Sequence, residues 1–304
     1  MEQNATLTKD KKGAINVSTF SQKIHSYLKH PFSLLVWIIT ILAALLTAAS
    51  FVYLVLYILI KGVPYLRPEL FSWTYDSNNV SMLPSIINTF LLTALSLVIS
   101  VPLGIFAAIY MVEYAKKGNR IVKFIRVTAE TLSGIPSIVY GLFGMIFFVG
   151  VLKMQLSLLS GSLTVAIMVL PTIMRTTEEA LLSVPQSYRE GSFGLGAGKL
   201  RTVFRIVLPS AVPGILSGVI LATGRIVGET AALIYTAGTM AKVPNNLFAS
   251  ARTLSVHMYL LSNEGLHTNE AFATAVVLLV FVMLINMLAN FVVRRLSAKN
   301  AEND

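Results

Sequence analysis

The segment LLVWIITILAALLTAASFVYLVLYILI occupies residues 34–60 and contains no charged side chain. A helix of about 20 apolar residues is long enough to cross the hydrocarbon core of a bilayer. The segment therefore predicts a first transmembrane helix. The rest of the chain has the same character, because 55% of its 304 residues are hydrophobic and only 12% are charged. An ordinary soluble domain carries about 25% charged residues.

Five further apolar runs are long enough to be predicted as membrane spans. They are Leu83–Met111, Ile135–Leu152, Leu156–Ile173, Val212–Ala237 and Ala271–Val293. The two short runs in the middle lie close together and predict a hairpin. The sequence thus predicts an all-α polytopic membrane protein with about six transmembrane helices.

The basic residues predict the orientation of these spans. Of 24 Lys and Arg residues, 18 lie in the N-terminal tail, in the 112–132 and 174–206 loops, and at the C-terminus. Cytoplasmic loops carry the excess of Lys and Arg in membrane proteins. Both termini are therefore predicted to be cytoplasmic, with residues 1–33 as a cytoplasmic tail and the chain as a multi-pass protein of the cell membrane.

Composition also argues against several other functions. A net charge of +10 fits nucleic-acid binding, but the basic residues alternate with apolar runs, so no nucleic-acid partner is predicted. The chain has no cysteine, its four histidines fall outside the spans, and no metal site or hydrolase motif is present. No inverted repeat supports an ion-coupled secondary transporter. We therefore expect neither catalytic residues nor a metal.

The 174–209 loop has the character of a docking segment. Residues 178–209 read EEALLSVPQSYREGSFGLGAGKLRTVFRIVLP, and apolar residues such as Phe193 and Leu195 argue against disorder. We expect a short helix that projects from the membrane towards a partner. A phosphate-binding loop is excluded, since G-x-x-x-x-G-K-[ST] needs glycine where Phe193 stands and Ser or Thr at Leu200.

The fifth run contains Arg225 and Glu229, four residues apart. On one continuous helix this spacing puts both side chains on the same face. One interpretation is an ion pair that only holds helices together. The other is a polar pathway, with Thr230 nearby, in which the arginine fork binds an oxyanion. Hydrogen phosphate can donate a hydrogen bond to Glu229 while accepting one from Arg225, whereas fully ionised sulfate cannot.

The docking loop resembles the coupling loop of bacterial ATP-binding-cassette importers. The residues that carry the likeness are Glu190, Gly196, Ile206, Leu208 and Pro209. The sequence departs from the family where two alanines are replaced by Gly191 and Ser192, which predicts a weaker local helix. The resemblance implies that these residues couple the chain to a separate ATPase. The chain itself would bind no cofactor, and the partner would use the ATP.

Two other segments resemble phosphate importer permeases of the PstA type. They are Arg225–Ala231 and Gly134–Gly144, and the likeness runs over a core of residues 82–295. It implies a type I importer permease in the bacterial cytoplasmic membrane, with Arg225, Glu229, Thr230 and Ser137 along a phosphate pathway. The implied partners are a PstC-type permease, two ATPase subunits, an extracytoplasmic phosphate-binding protein and membrane lipid. A permease for sulfate or molybdate remains an alternative.

Overall fold

The computed structural model describes residues 31–116 and 118–301. Almost all of the predicted tail, residues 1–33, therefore lies outside the described residues. Every regular element in these two ranges is helical, which confirms the predicted all-α class. The α-helices are α1 Pro31–Gly62, α2 Leu83–Ile109, α3 Arg120–Ser133, α4 Ser137–Gly144, α5 Leu158–Ser183, α6 Gln186–Gly194, α7 Lys199–Thr202, α8 Leu208–Val227, α9 Ala231–Ile234, α10 Leu254–Glu264 and α11 Thr268–Ala301.

The chain divides into two compact units, residues 1–57 and residues 58–304. The described part of the first unit, residues 31–57, is helical throughout and belongs to α1. The sites described below all lie in the second unit.

The described helices supply five or six membrane spans. Five are long and apolar enough to cross a bilayer, and a sixth results if α3 and the helix that follows it are taken together. That pair is bent by 104° at the break between Ser133 and Ser137. The predicted span Ile135–Leu152 corresponds to α4 and a π-helical segment, Met145–Val151. At about 1.5 Å per residue this stretch is shorter than the hydrocarbon core.

Small residues allow α2, α5 and α8 to pack closely. A Cβ atom on Gly104 of α2 would lie 2.7 Å from Cγ2 of Ile173, and one on Gly214 of α8 would lie 2.7 Å from Cβ of Ala180. Both distances are too short for real atoms, so these crossings require glycine. Lipid tails are as apolar as leucine, so helices in a bilayer associate largely through such close contacts.

Two predicted spans end at different places in the structure. The fourth was predicted to end at Ile173, but α5 continues to Ser183 and carries the polar residues Arg175 to Glu179 beyond the apolar run. The fifth was predicted to reach Ala237, which is wrong, because α8 ends at Val227. Gly228 caps α8, and its N–H donates to the Gly224 carbonyl at 3.3 Å. The chain then starts the separate short helix α9.

The segment between α9 and α11 contains the helix α10. Its residues Leu254, Val256 and Leu261 are buried. Gly265 ends the helix at φ +74°, a left-handed conformation that favours glycine. The helix therefore packs into the unit rather than lying free on the surface.

Candidate functional site

The break after α8 separates the two charged residues that were predicted to share a helix face. Glu229 follows the cap, and its Oε1 accepts a hydrogen bond from the N–H of Ala232 at 3.0 Å. This carboxylate therefore caps α9, which is a stabilising position for a negative charge. The Glu229 carbonyl also accepts a hydrogen bond from the hydroxyl of Ser255 on α10. Glu229 is buried and held from both sides.

The ion pair between Arg225 and Glu229, the structural interpretation of the sequence, does not form. Among residues 31–116 and 118–301, the Arg–Glu pairs within 4.0 Å are Arg126–Glu178, Arg175–Glu179 and Arg189–Glu113. Within the same ranges, no hydrogen bond is recorded from the Arg225 guanidinium. Arg225 is half-buried in a membrane span, where a charge is costly unless it pairs or faces water.

The Arg225 side chain lines a cavity of about 910 Å³ between α5, α8 and α11. Asn286 and Asn290 of α11 face the same cavity, together with Ser217 of α8 and Thr176 of α5. Carboxamide and hydroxyl groups can donate hydrogen bonds to an anion. The arrangement thus offers one cationic fork and several neutral donors to a small oxyanion, beside the carboxylate of Glu179, which is paired with Arg175 at 3.1 Å.

Sequence reasoning missed Asn286 and Asn290. They stand in the sixth apolar run, whose composition indicates a span and nothing more. Their spacing of four residues places them on one helix face. Two amides on one face of an otherwise apolar span are the pattern from which a polar site could have been predicted.

The other predicted pathway residues lie elsewhere. Ser137 is half-buried at the start of α4, and Thr230 stands in the break, where its hydroxyl contacts the Gly228 carbonyl at 3.4 Å. Neither lines the cavity around Arg225, and neither does Glu229. Tyr140 is 5% exposed and its hydroxyl donates to the Leu132 carbonyl at 2.7 Å, which is a packing role.

A second cavity, of about 740 Å³, adjoins the first one. The two share Thr176, Glu179 and Leu221 as lining residues. The second cavity is also lined by Arg126, Glu178 and Arg175, all charged. The two cavities therefore adjoin along α5, and the second reaches from Pro171 to Leu182 of that helix.

The docking loop contains the helix α6, so the short helix predicted there is present, and its projection towards a partner stays a prediction. Around this helix, five apolar side chains lie exposed to solvent. They are Tyr188, Phe193, Leu195, Leu200 and Phe204. Leu195 is 91% exposed. Exposed apolar patches of this kind mark sites of protein–protein contact.

The five predicted coupling residues occupy this loop and the start of α8. Glu190 and Gly196 are exposed, and Gly196 has a φ of +82°, which an L side chain rarely adopts. Ile206 and Leu208 are half-buried, and Pro209 lies in the first turn of α8. Ser192 is buried, and its hydroxyl lies 2.8 Å from that of Thr202. This contact joins α6 to α7.

On the opposite side of the membrane, as predicted from the basic residues, His257 of α10 is fully buried. Its Nδ1 lies 3.3 Å from Nη1 of Arg252, and its ring meets Tyr75 edge-on at 6.0 Å. Burial, and then the charge of Arg252, lower the pKa of His257 to about 4. The imidazole is therefore neutral at pH 7.

The lowered pKa of His257 predicts instability in acid. The unfolded chain binds a proton near pH 6.5 and the folded chain only near pH 4. Stability is therefore complete above pH 6.5 and falls as the pH drops towards 4, by about 2 kcal/mol at pH 5. Thermal unfolding of the detergent-solubilised chain at pH 7.5 and pH 5 measures this loss. His257→Gln should show a smaller difference between the two pH values, and an equal difference would contradict the assignment.

The chain is similar to proteins of known class. The family described as "Binding-protein-dependent transport system inner membrane component" matches residues 100–301. The "Probable ABC transporter permease protein YqgI" of Bacillus subtilis is 35% identical over 270 residues, 82% of this chain and 91% of that protein. The "Phosphate transport system permease protein PstA 1" of Mycobacterium tuberculosis is 35% identical over 196 residues, 63% of this chain and 64% of that protein.

A solved structure has a similar fold. The structure is that of a bacterial alginate ABC transporter in complex with an alginate pentasaccharide-bound periplasmic protein. One of its chains aligns with a TM-score of 0.64 at 17% identity, and the match covers 88% of this chain and 97% of that one. Likeness at this level of identity shows a shared fold.

Proposed function

The chain belongs to the family of binding-protein-dependent transport system inner membrane components, and we propose that it forms half of the pathway of an ATP-driven phosphate importer. Its fold is that of type I ABC importer permeases. It is a multi-pass permease subunit of the cytoplasmic membrane. The substrate and the composition of the complex are our inference.

The observation that carries the phosphate proposal is the environment of Arg225. This guanidinium lies in a membrane span, beside a cavity large enough for a small anion, and among the described residues it makes no ion pair within 4.0 Å. A planar fork of donors suits the oxygens of an oxyanion. Several relatives whose names include phosphate transport also support the substrate.

Glu229 supports the choice of phosphate among the oxyanions. One of its oxygens caps α9 through Ala232, but an ionised carboxylate has two oxygens and about four acceptor positions. A protonated anion that reaches the break after α8 can donate to this carboxylate. Hydrogen phosphate carries such a proton at neutral pH, whereas sulfate is repelled.

Replacing Glu229 by Gln tests this selectivity. The Gln carbonyl oxygen still accepts from the Ala232 N–H, so the cap of α9 remains. We expect phosphate uptake to fall by about tenfold, and excess sulfate to compete where it does not in the wild type, since one charge-assisted hydrogen bond is lost. Radiolabelled phosphate uptake in cells lacking other phosphate importers measures both. Unchanged uptake with unchanged preference over sulfate and molybdate would overturn the role of Glu229.

The exposed face around α6 supports the proposed partners. An ATPase subunit that docks there would cover Phe193, Leu195 and Leu200, which are now exposed. We propose two such subunits, a second permease of the PstC type that completes the pathway, and an extracytoplasmic binding protein that delivers phosphate. ATP would be bound and hydrolysed by the ATPase partner, and co-purification of the full complex tests this composition.

Uptake measurements also test the substrate itself. Wild-type cells should accumulate phosphate with excess sulfate or molybdate present. Uptake of sulfate or molybdate in place of phosphate would overturn the phosphate proposal and leave the importer fold unaffected.

A further inference from the structure

Arg189 connects the docking helix to the ends of two membrane spans. It precedes Glu190 on α6, and its guanidinium donates to Glu113 Oε1 from Nε at 3.1 Å and from Nη2 at 2.7 Å. The same group donates to the carbonyls of Val184 and Leu181, each at 2.9 Å. The Arg189 and Glu113 side chains are only 11% and 8% exposed.

The partners of Arg189 belong to the cytoplasmic ends of α5 and α2. Leu181 lies in the last turn of α5 and Val184 is its C-cap, and the last carbonyls of a helix lack partners within it and favour a cation. Glu113 lies in the π-helical turn Tyr110–Tyr114 that extends α2. Such turns are rare and occur frequently at functional sites.

The chain itself makes the other connection. After α6 it passes through α7 and the π-helical segment Val203–Val207 directly into α8. A second contact on that side is the hydrogen bond between the hydroxyls of Ser192 and Thr202. Displacement of α6 therefore reaches α8, and α5 across Val184 and Pro185, along the backbone, whereas Arg189 links α6 to the end of α2 through space.

We propose that the largely buried Arg189–Glu113 pair transmits movement of the docked α6 helix to α2, while the bonds of Arg189 to the Leu181 and Val184 carbonyls stiffen the short link to α5. This inference rests on coupling to a partner ATPase and is independent of the substrate. Arg189 is a positioning residue, since it lies away from the anion cavity. The outer face of α6 remains exposed for the partner. Arg189, on the inner face, is held in place by the four hydrogen bonds that its guanidinium donates. A load on the outer face therefore has a short, stiff path into two spans.

The test uses the complete complex in proteoliposomes and compares transport with ATP hydrolysis. In Arg189→Gln and in the nearly isosteric Glu113→Gln, the ATPase should still co-purify and hydrolyse ATP. We expect the phosphate imported per ATP, and the stimulation of hydrolysis by the binding protein, to fall by about tenfold. The double variant should lose no more than the worse single one, because both remove one interaction. Arg189→Lys, which keeps the charge, should recover part of the ratio.

The exposed arginine Arg120, at the start of α3, supplies the matched control. Arg120→Gln should leave both the phosphate imported per ATP and the stimulation of hydrolysis by the binding protein at the wild-type value. Unchanged ratios in Arg189→Gln and Glu113→Gln would overturn the proposal, and so would additive losses in the double variant. A parallel loss of transport and hydrolysis with the ATPase still bound would also overturn it, because it indicates a purely structural pair. A wild-type complex that hydrolyses ATP but imports no phosphate would contradict the proposed substrate, while binding-protein stimulation would still decide the role of Arg189.

Discussion

Arg225→Ala should reduce phosphate uptake by about 100-fold or more, because truncating a charged donor to a desolvated anion costs several kcal/mol. The guanidinium is the cationic group that lines the 910 Å³ cavity within a membrane span. Asn286, Asn290 and Ser217 would remain, but neutral donors cannot offset the charge of an anion that leaves water. Uptake of radiolabelled phosphate at equal membrane expression measures the loss.

Two further variants define what Arg225 contributes. Arg225→Lys retains the charge but not the planar fork, so uptake should be intermediate, within about tenfold of the wild type. The exposed Arg120→Ala should transport normally, which excludes a general effect of removing a basic residue. Wild-type uptake by Arg225→Ala would remove the central residue of the proposed pathway.

Membrane spans were predictable because bilayer thickness sets a minimum apolar length. The run 34–60 lies inside α1, and the run 83–111 corresponds to α2 with its π-helical extension. The exposed docking helix α6 was also accessible, since a loop rich in glycine between spans still carried apolar residues. These features depend only on the composition of short segments, which can be read directly from a single sequence.

The geometry around Arg225 was not predictable in the same way. Apolar residues resume at Ala231–Ile234 directly after Glu229 and Thr230, so the pattern gives one span where the structure has a break. The break is stabilised by a contact to Ser255, which lies 26 residues away in sequence. The link from Arg189 to Glu113 spans 76 residues. Such contacts arise only when distant segments pack together. The spacing of apolar residues within one helix does not predict them.

Leu195→Glu should abolish uptake by preventing the ATPase from binding. Leu195 follows α6 and is 91% exposed, so its replacement leaves the packing of the permease intact. In the docked complex, however, the new carboxylate would be buried against an apolar surface without a partner. A central apolar contact replaced by a charge should raise the dissociation constant for the ATPase by about 100-fold. Co-purification of the ATPase with the tagged permease measures this loss.

Leu266 provides a matched control for Leu195. It is 82% exposed, and it lies between α10 and α11 on the side of the membrane predicted to be extracytoplasmic. Leu266→Glu introduces the same charge at similar exposure, yet the ATPase should co-purify at the wild-type level. Equal loss in both variants would indicate a general defect, and normal binding in Leu195→Glu would place the ATPase elsewhere. Loss of ATPase binding in Leu195→Glu but not in Leu266→Glu would show that the ATPase binds the face around α6. ATP hydrolysis would then act through this face on the spans that surround Arg225.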